Sequence, residues 1–253
     1  MAKDNSDHKI FSQYPFAIFC EGVDEVNFLA AYLTYLVNKN RIRDNHFWVY
    51  NCGGNDEIEK NLSLYKMQDN FDELKGYVVI RDAEQDARSA IDATCSILER
   101  ILNCKVNNPG ELVRVTSEDL DAKNQKSGFL LFPGQDSNGQ WRAGTLEDLY
   151  WDIVAEVPQN EFSQSELESR KESIKNSITN YLDEITALKQ QKFVRTHKNK
   201  LHLFLSSTDK YVGMKPGEFA FAGGLDFDSP ALAYIEKMLV EMDSGIDDSS
   251  TLN

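Results

Sequence analysis

The sequence predicts an α/β fold: a mostly parallel sheet flanked by helices, with an additional helical insertion and a C-terminal segment. Two observations carry this. Apolar runs of strand length alternate with segments whose apolar residues recur at helical spacing, the pattern of parallel strands joined by helical crossovers. The chain also has 253 residues, 41% of them hydrophobic, enough to bury a core without disulfide or metal staples, as one large domain or two small ones.

The elements follow in order. "YPFAIFCEG" (14–22) reads as a buried strand ending in Glu and Gly. "VDEVNFLAAYLTYLV" (23–37) places Val26, Leu29, Ala30, Leu33, Leu36 and Val37 at helical spacing. "HFWVYNCGG" (46–54) is a second strand; its Gly53-Gly54 pair reads as a turn, with close approach of a phosphate to the backbone as the functional alternative. A helix is expected near 56–67, a third strand over "GYVVIRD" (76–82) and a helix over 83–102. Short strands follow at 111–117 and 127–134, then a helix at 145–157. Residues 160–190 are charge-rich with sparse apolar positions, which predicts a long surface helix. This divides the chain into an α/β core (1–157), a helical insertion (158–192), a C-terminal segment completing the domain (193–243) and a disordered tail (244–253). There is no internal repeat.

Charge narrows the function classes. The formal net charge is −14, which excludes a non-specific nucleic-acid binder, because such a surface repels phosphate. The charge is uneven, however. Lys189–Lys215 holds seven basic residues against Asp209 alone, +6 in all, leaving −20 on the rest. A polyanion would be met there, by Lys192, Arg195, Lys198 and Lys200. Cys20, Cys52, Cys95 and Cys104 form no C-x-x-C pair, so they read as free thiols of a reducing cytoplasm. No segment is apolar enough to span a membrane, and "MAKDNSDHK" does not read as a signal peptide.

The informative feature is where the acids fall. Glu21 follows the first strand, with Asp24 and Glu25 just beyond; Asp82 closes the third, with Glu84 and Asp86 at alternate positions after it. In open α/β sheets, ligands bind at the C-terminal strand edge. "FCEGVDEVNFLAAYL", "VVIRDAEQD" and "GTLEDL", in that order, resemble the Toprim family, the metal-dependent module of topoisomerases, primases, small nucleases and OLD-type nucleases. Glu21-Gly22 with Asp24 or Glu25 matches its first motif; Asp82-Ala83-Glu84 matches its acid-x-acid, with Glu in place of the usual second Asp; Thr145-Leu146-Glu147 matches its third. The resemblance covers about residues 14–155 and is closest to the small stand-alone bacterial Toprim-like proteins and the OLD-type module. In those a Lys precedes a late helix, a place matched here by Lys198, with Lys200 close behind.

The resemblance implies Mg²⁺ (Mn²⁺ substituting) on Glu21, Asp82, Glu84 and Glu147, with Asp24, Glu25, Asp86 and Asp148 at the metal's periphery. Glu21 and Lys198 are then the catalytic pair. It implies a nuclease acting on DNA or RNA, an effector in anti-phage defence controlled by a separate ATPase, since the chain has no phosphate-binding loop of its own. The alternative is a catalytically weak or inactive Toprim module that binds or regulates. The residues themselves support a hard cation: carboxylates gathered at one edge repel unless neutralised. Other readings stand beside this one. Glu84 and Asp86 also suit the first turn of a helix, and Asp86 is balanced between metal periphery and helix surface. Glu147 and Asp148 also suit a helix start behind Thr145. His197 and His202 read as surface or phosphate contacts; Trp141, Tyr150 and Trp151 read as core. A topoisomerase is excluded by length. A receiver-type phosphotransfer domain leaves Thr145-Leu146-Glu147 unexplained.

Overall fold

A computed structural model of the protein describes residues 13–68, 70–115, 125–154, 164–189 and 196–244. At its centre is a five-stranded sheet in the order β2-β1-β3-β5-β4. β1 (Phe16–Cys20), β2 (Phe47–Asn51), β3 (Gly76–Asp82) and β5 (Lys126–Phe132) are parallel, and the short β4 (Leu112–Arg114) runs antiparallel at one edge. The α/β class and the mostly parallel sheet are as the sequence predicts.

The apolar runs become strands because both faces of the sheet are covered. Every residue of β1 and β3 is buried. Alternate side chains serve opposite faces. Phe16, Ile18, Val78, Ile80, Leu130 and Phe132 join one core, and Ala17, Phe19, Tyr77, Val79, Phe129 and Leu131 join the other. The first core is closed by α1 (Val23–Asn38), α4 (Leu146–Ile153), α5 (Gln164–Lys189), α6 (Thr196–Ser206), α7 (Pro216–Phe221) and α8 (Ala233–Ser244). The second is closed by α2 (Ile58–Lys66) and α3 (Ala87–Leu102). Each fully buried Phe, Leu or Ile in these layers contributes roughly 1.5–3 kcal/mol.

Several boundaries move. α1 buries Phe28, Leu29, Ala31, Tyr32 and Leu36, while the predicted Val26, Leu33 and Val37 are only partly covered; the aromatic residues win because they pack on one another and on Phe227. The long helix 164–189 is not purely superficial, since Ile178 and Leu182 enter the core. The basic stretch is helical too: Lys198 and Lys200 lie inside α6, so Lys198 does not precede a helix but sits in its first turn. Asp243 and Ser244 end α8 and belong to no tail. Asp243 is buried, with Arg43 Nε at 3.3 Å and His46 Nδ1 at 2.5 Å from its carboxylate. Residues 245–253, 155–163, 190–195 and 116–124, and the predictions that fall there, lie outside the described residues. All four cysteines are free thiols. Among the described residues no helix is long and apolar enough to cross a membrane.

Candidate functional site

The chain winds from β1 outward to β2, then returns to place β3 on the other side of β1. That reversal is the switch point at which open α/β sheets form a crevice. Cys20 pairs in register with Ile80, so Glu21, one residue beyond β1, lies beside the end of β3 that carries Asp82. A cleft of about 590 Å³ opens there, lined by Glu21, Asp24, Glu25, Asp82, Glu84 and Glu147, together with Lys198 and His197.

Local folding explains each position. Gly22 starts α1 in ordinary extended backbone (φ −142°), so its role is space, not conformation. A Cβ there would stand 2.9 Å from Glu25 Oε2. Asp24 is partly spent on structure: its Oδ1 accepts a hydrogen bond from Gly217 N at 3.2 Å, tying α7 to α1. Asp82 Oδ1 accepts from Leu146 N at 2.9 Å, which fixes the start of α4 against β3. Glu147, one residue on, is thereby held over the strand ends. Its Oε2 accepts from Thr145 Oγ1 at 2.8 Å, and its Oε1 lies 2.8 Å from Lys198 Nζ. α6 packs on α4, which is how a residue some fifty positions downstream reaches the cleft.

Two of the acids expected at the metal's periphery serve helix starts, the other reading their sequence allowed. Asp86 is the N-cap of α3: its carboxylate accepts from Arg88 N and from Ser89 Oγ, and it lines a different cavity. α3 therefore begins at Ala87, not at 83. Asp148 closes a capping box with Thr145, accepting from Thr145 N at 2.9 Å. Both acids are consumed by helix starts, the role favoured by the helix dipole and by orphan N–H groups. Glu84 is neither a first-turn acid nor in extended backbone. It is exposed, adopts a left-handed conformation (φ 55°), and exchanges two backbone hydrogen bonds with Gly144, at 2.8 and 2.7 Å. It still faces the same cleft as Asp82.

Electrostatics mark the cluster. Burial pushes the Glu25 carboxyl up to about 7, helped by Glu21 and Glu147. Burial, then the charges of Glu25, Glu21 and Glu147, push Asp82 well above the usual carboxylate range. Burial also raises Glu21, against the lowering pull of Arg81. Glu147 departs the other way. Burial would raise it, but the hydrogen bonds from Lys198 and Thr145 outweigh that and hold it low. Glu21 Oε2 is buried without a hydrogen-bond partner. Such an atom is costly unless something binds it. The donors are all carboxylate oxygens, the set a hard divalent cation takes, so the residues fit one. As they stand, no three acidic, His or Cys groups among the described residues form a cage around a common point.

The remaining predicted residues distribute as follows. Lys200 Nζ lies 5.8 Å from the Trp151 ring centroid, and Lys175 Nζ lies 5.4 Å from the same ring. Lys192 and Arg195 lie outside the described residues. Tyr150 is fully buried, and Trp141 and Trp151 pack partly buried on the core. His202 is exposed and His197 lines the cleft. Gly53 and Gly54 form a turn at φ 83° and 128°, whose Gly54 N donates to Glu21 O at 2.7 Å. Thr145 was legible in the sequence as part of the third motif and as a helix start; its hydrogen bond to Glu147 and the pairing of Gly144 with Glu84 were not.

The family described as "Protein of unknown function (DUF3226)" matches residues 15–242, and the chain belongs to it. No curated protein and no solved structure gives a match.

Proposed function

We propose that the protein is a divalent-cation-dependent phosphodiester hydrolase of the Toprim kind, acting on DNA or RNA. One observation carries this reading. Carboxylates from the ends of β1 and β3 and from the start of α4 converge on the switch-point cleft, and one of them, Glu21, keeps a buried oxygen without a partner. Glu21, Asp82, Glu84 and Glu147 are the residues that would hold Mg²⁺ or Mn²⁺. When bound, the cation would activate a water and polarise the phosphodiester. The chain's own contribution is to exclude bulk water around Asp82 and Glu147 and to anchor both through Leu146 N and Thr145 Oγ1. Lys198 supplies a positive charge at the rim for the phosphate or the leaving oxygen. The cleft is strongly anionic by itself, so a phosphate enters only once that charge is offset.

The restraint this puts on the free protein suits an effector switched on by a partner. We place it with a separate ATPase in anti-phage defence, the acidic remainder of the surface docking a basic face. Affinity capture from the native host that recovers no ATPase would remove that part of the reading.

The test of the hydrolase is cleavage of plasmid, single-stranded DNA, tRNA and total RNA with Mg²⁺, Mn²⁺ or EDTA, wild type beside Glu21→Ala. Metal-dependent cutting that disappears in a folded Glu21→Ala protein is the expected result. A second reading, a binding or regulatory module without catalysis, is favoured by the Lys198–Glu147 ion pair and by the absence of a ready-made cage. Unaltered biological effect in Glu21→Ala and Glu147→Ala would select it.

A further inference from the structure

We propose that Lys198 is the resident cation of the cleft, and that it and a divalent metal alternate on the Glu147 carboxylate. Metal binding then releases the Lys198 ammonium to the rim. This rests on the metal-site reading above and goes further by assigning the state of the site without metal.

The argument begins with unequal burial. The Glu147 side chain is 7% exposed and largely withdrawn from water, whereas the Lys198 side chain is 41% exposed. Of the pair, Lys198 leaves at the lower cost, because its ammonium regains solvent. The acceptor it leaves stays put: Thr145 Oγ1 holds Glu147 Oε2, and Oε1 lies 2.8 Å from Lys198 Nζ. Supply of charge points the same way. Six carboxylates line the cleft, and one ammonium offsets one of them. A divalent cation supplies twice the charge at the same mouth. An apo site arranged in this way is partly neutralised from within.

The experiment is Mn²⁺ titration by electron paramagnetic resonance and calorimetry on the full chain, wild type beside Lys198→Met. Breaking one charged hydrogen bond on the ligand side should tighten Mn²⁺ binding by about tenfold or more. Adding Glu147→Gln to Lys198→Met should abolish that gain. Equal or weaker binding by Lys198→Met overturns the alternation and leaves the metal site standing. Mn²⁺ bound by neither chain overturns both readings. Should Lys198→Met not give the wild-type circular dichroism spectrum, wild type alone decides, through amine acylation mapped by mass spectrometry. Lys198 labelling that rises on Mg²⁺ saturation is expected; labelling that is unchanged or falls refutes the proposal.

Discussion

Glu25 makes the sharpest test of the cleft's electrostatics. Its carboxyl is 9% exposed and is pushed from 4.5 to about 7, first by burial and then by the neighbouring charges of Glu21 and Glu147. The folded protein thus holds a proton that the unfolded chain releases. Stability from this group is fully present below about pH 4.5 and is lost as pH rises through 7. A displacement of this size is worth on the order of 3 kcal/mol. The perturbation is Glu25→Gln, which keeps the shape and removes the titration. The assay is urea unfolding in EDTA at pH 5 and pH 8. Wild type should lose about 3 kcal/mol or more between the two, since Asp82 and Glu21 shift in the same direction. Glu25→Gln should lose less by about that amount. Parallel wild-type and mutant profiles would refute the claim that Glu25 is protonated by its surroundings. Mg²⁺ at pH 8 should restore stability to wild type, and less so to Glu21→Ala.

Two further predictions concern the frame around the site. Asp243→Ala removes a buried carboxylate that accepts from Arg43 N at 3.0 Å and meets His46 Nδ1 at 2.5 Å. It should cost roughly 3 kcal/mol of unfolding free energy, read from the denaturant midpoint, because two polar partners lose their anion. Gly144→Ala puts a Cβ 2.7 Å from Asp148 Oδ2 at a φ of +135°. It should cost about 1–3 kcal/mol and weaken Mn²⁺ binding, since Gly144 backbone positions Glu84.

Much of the fold was legible because two-faced burial writes itself into composition. β3 was readable as "GYVVIRD" to the residue, since all seven of its positions are buried and the apolar run lasts to Ile80, with only Arg81 and Asp82 after it. Strand ends elsewhere were less legible: the predicted runs 14–22 and 46–54 carry past Cys20 and Asn51 into the turns that follow. Helix starts left a specific ambiguity. Asp86 and Asp148 sit among acids that face the cleft, yet their carboxylates bond to backbone N–H groups of their own helices. Sequence spacing alone cannot separate a capping carboxylate from a ligand, because both occupy the first residues after a strand. The Lys198 contact was out of reach for another reason. It depends on α6 packing against α4, a contact between elements about fifty residues apart whose register no local pattern sets.

That long-range contact also explains why the acids are distributed over three elements. A single loop rich in carboxylates would keep them flexible and hydrated, with ordinary titration. Here β1 and β3 are locked by parallel pairing from Phe16↔Gly76 to Cys20↔Ile80, and α4 is pinned to β3 through Leu146 N and Asp82. The sheet and its helix therefore impose proximity that the carboxylates resist, and folding free energy from the two apolar layers sustains it. The repulsion is relieved locally in two ways, by the raised proton affinity of Glu25 and its neighbours and by the ammonium of Lys198 on Glu147. A purely structural role for these acids would be better served by their amides, which would carry no repulsion. A carboxylate at each of these positions is what the proposed cation site would use.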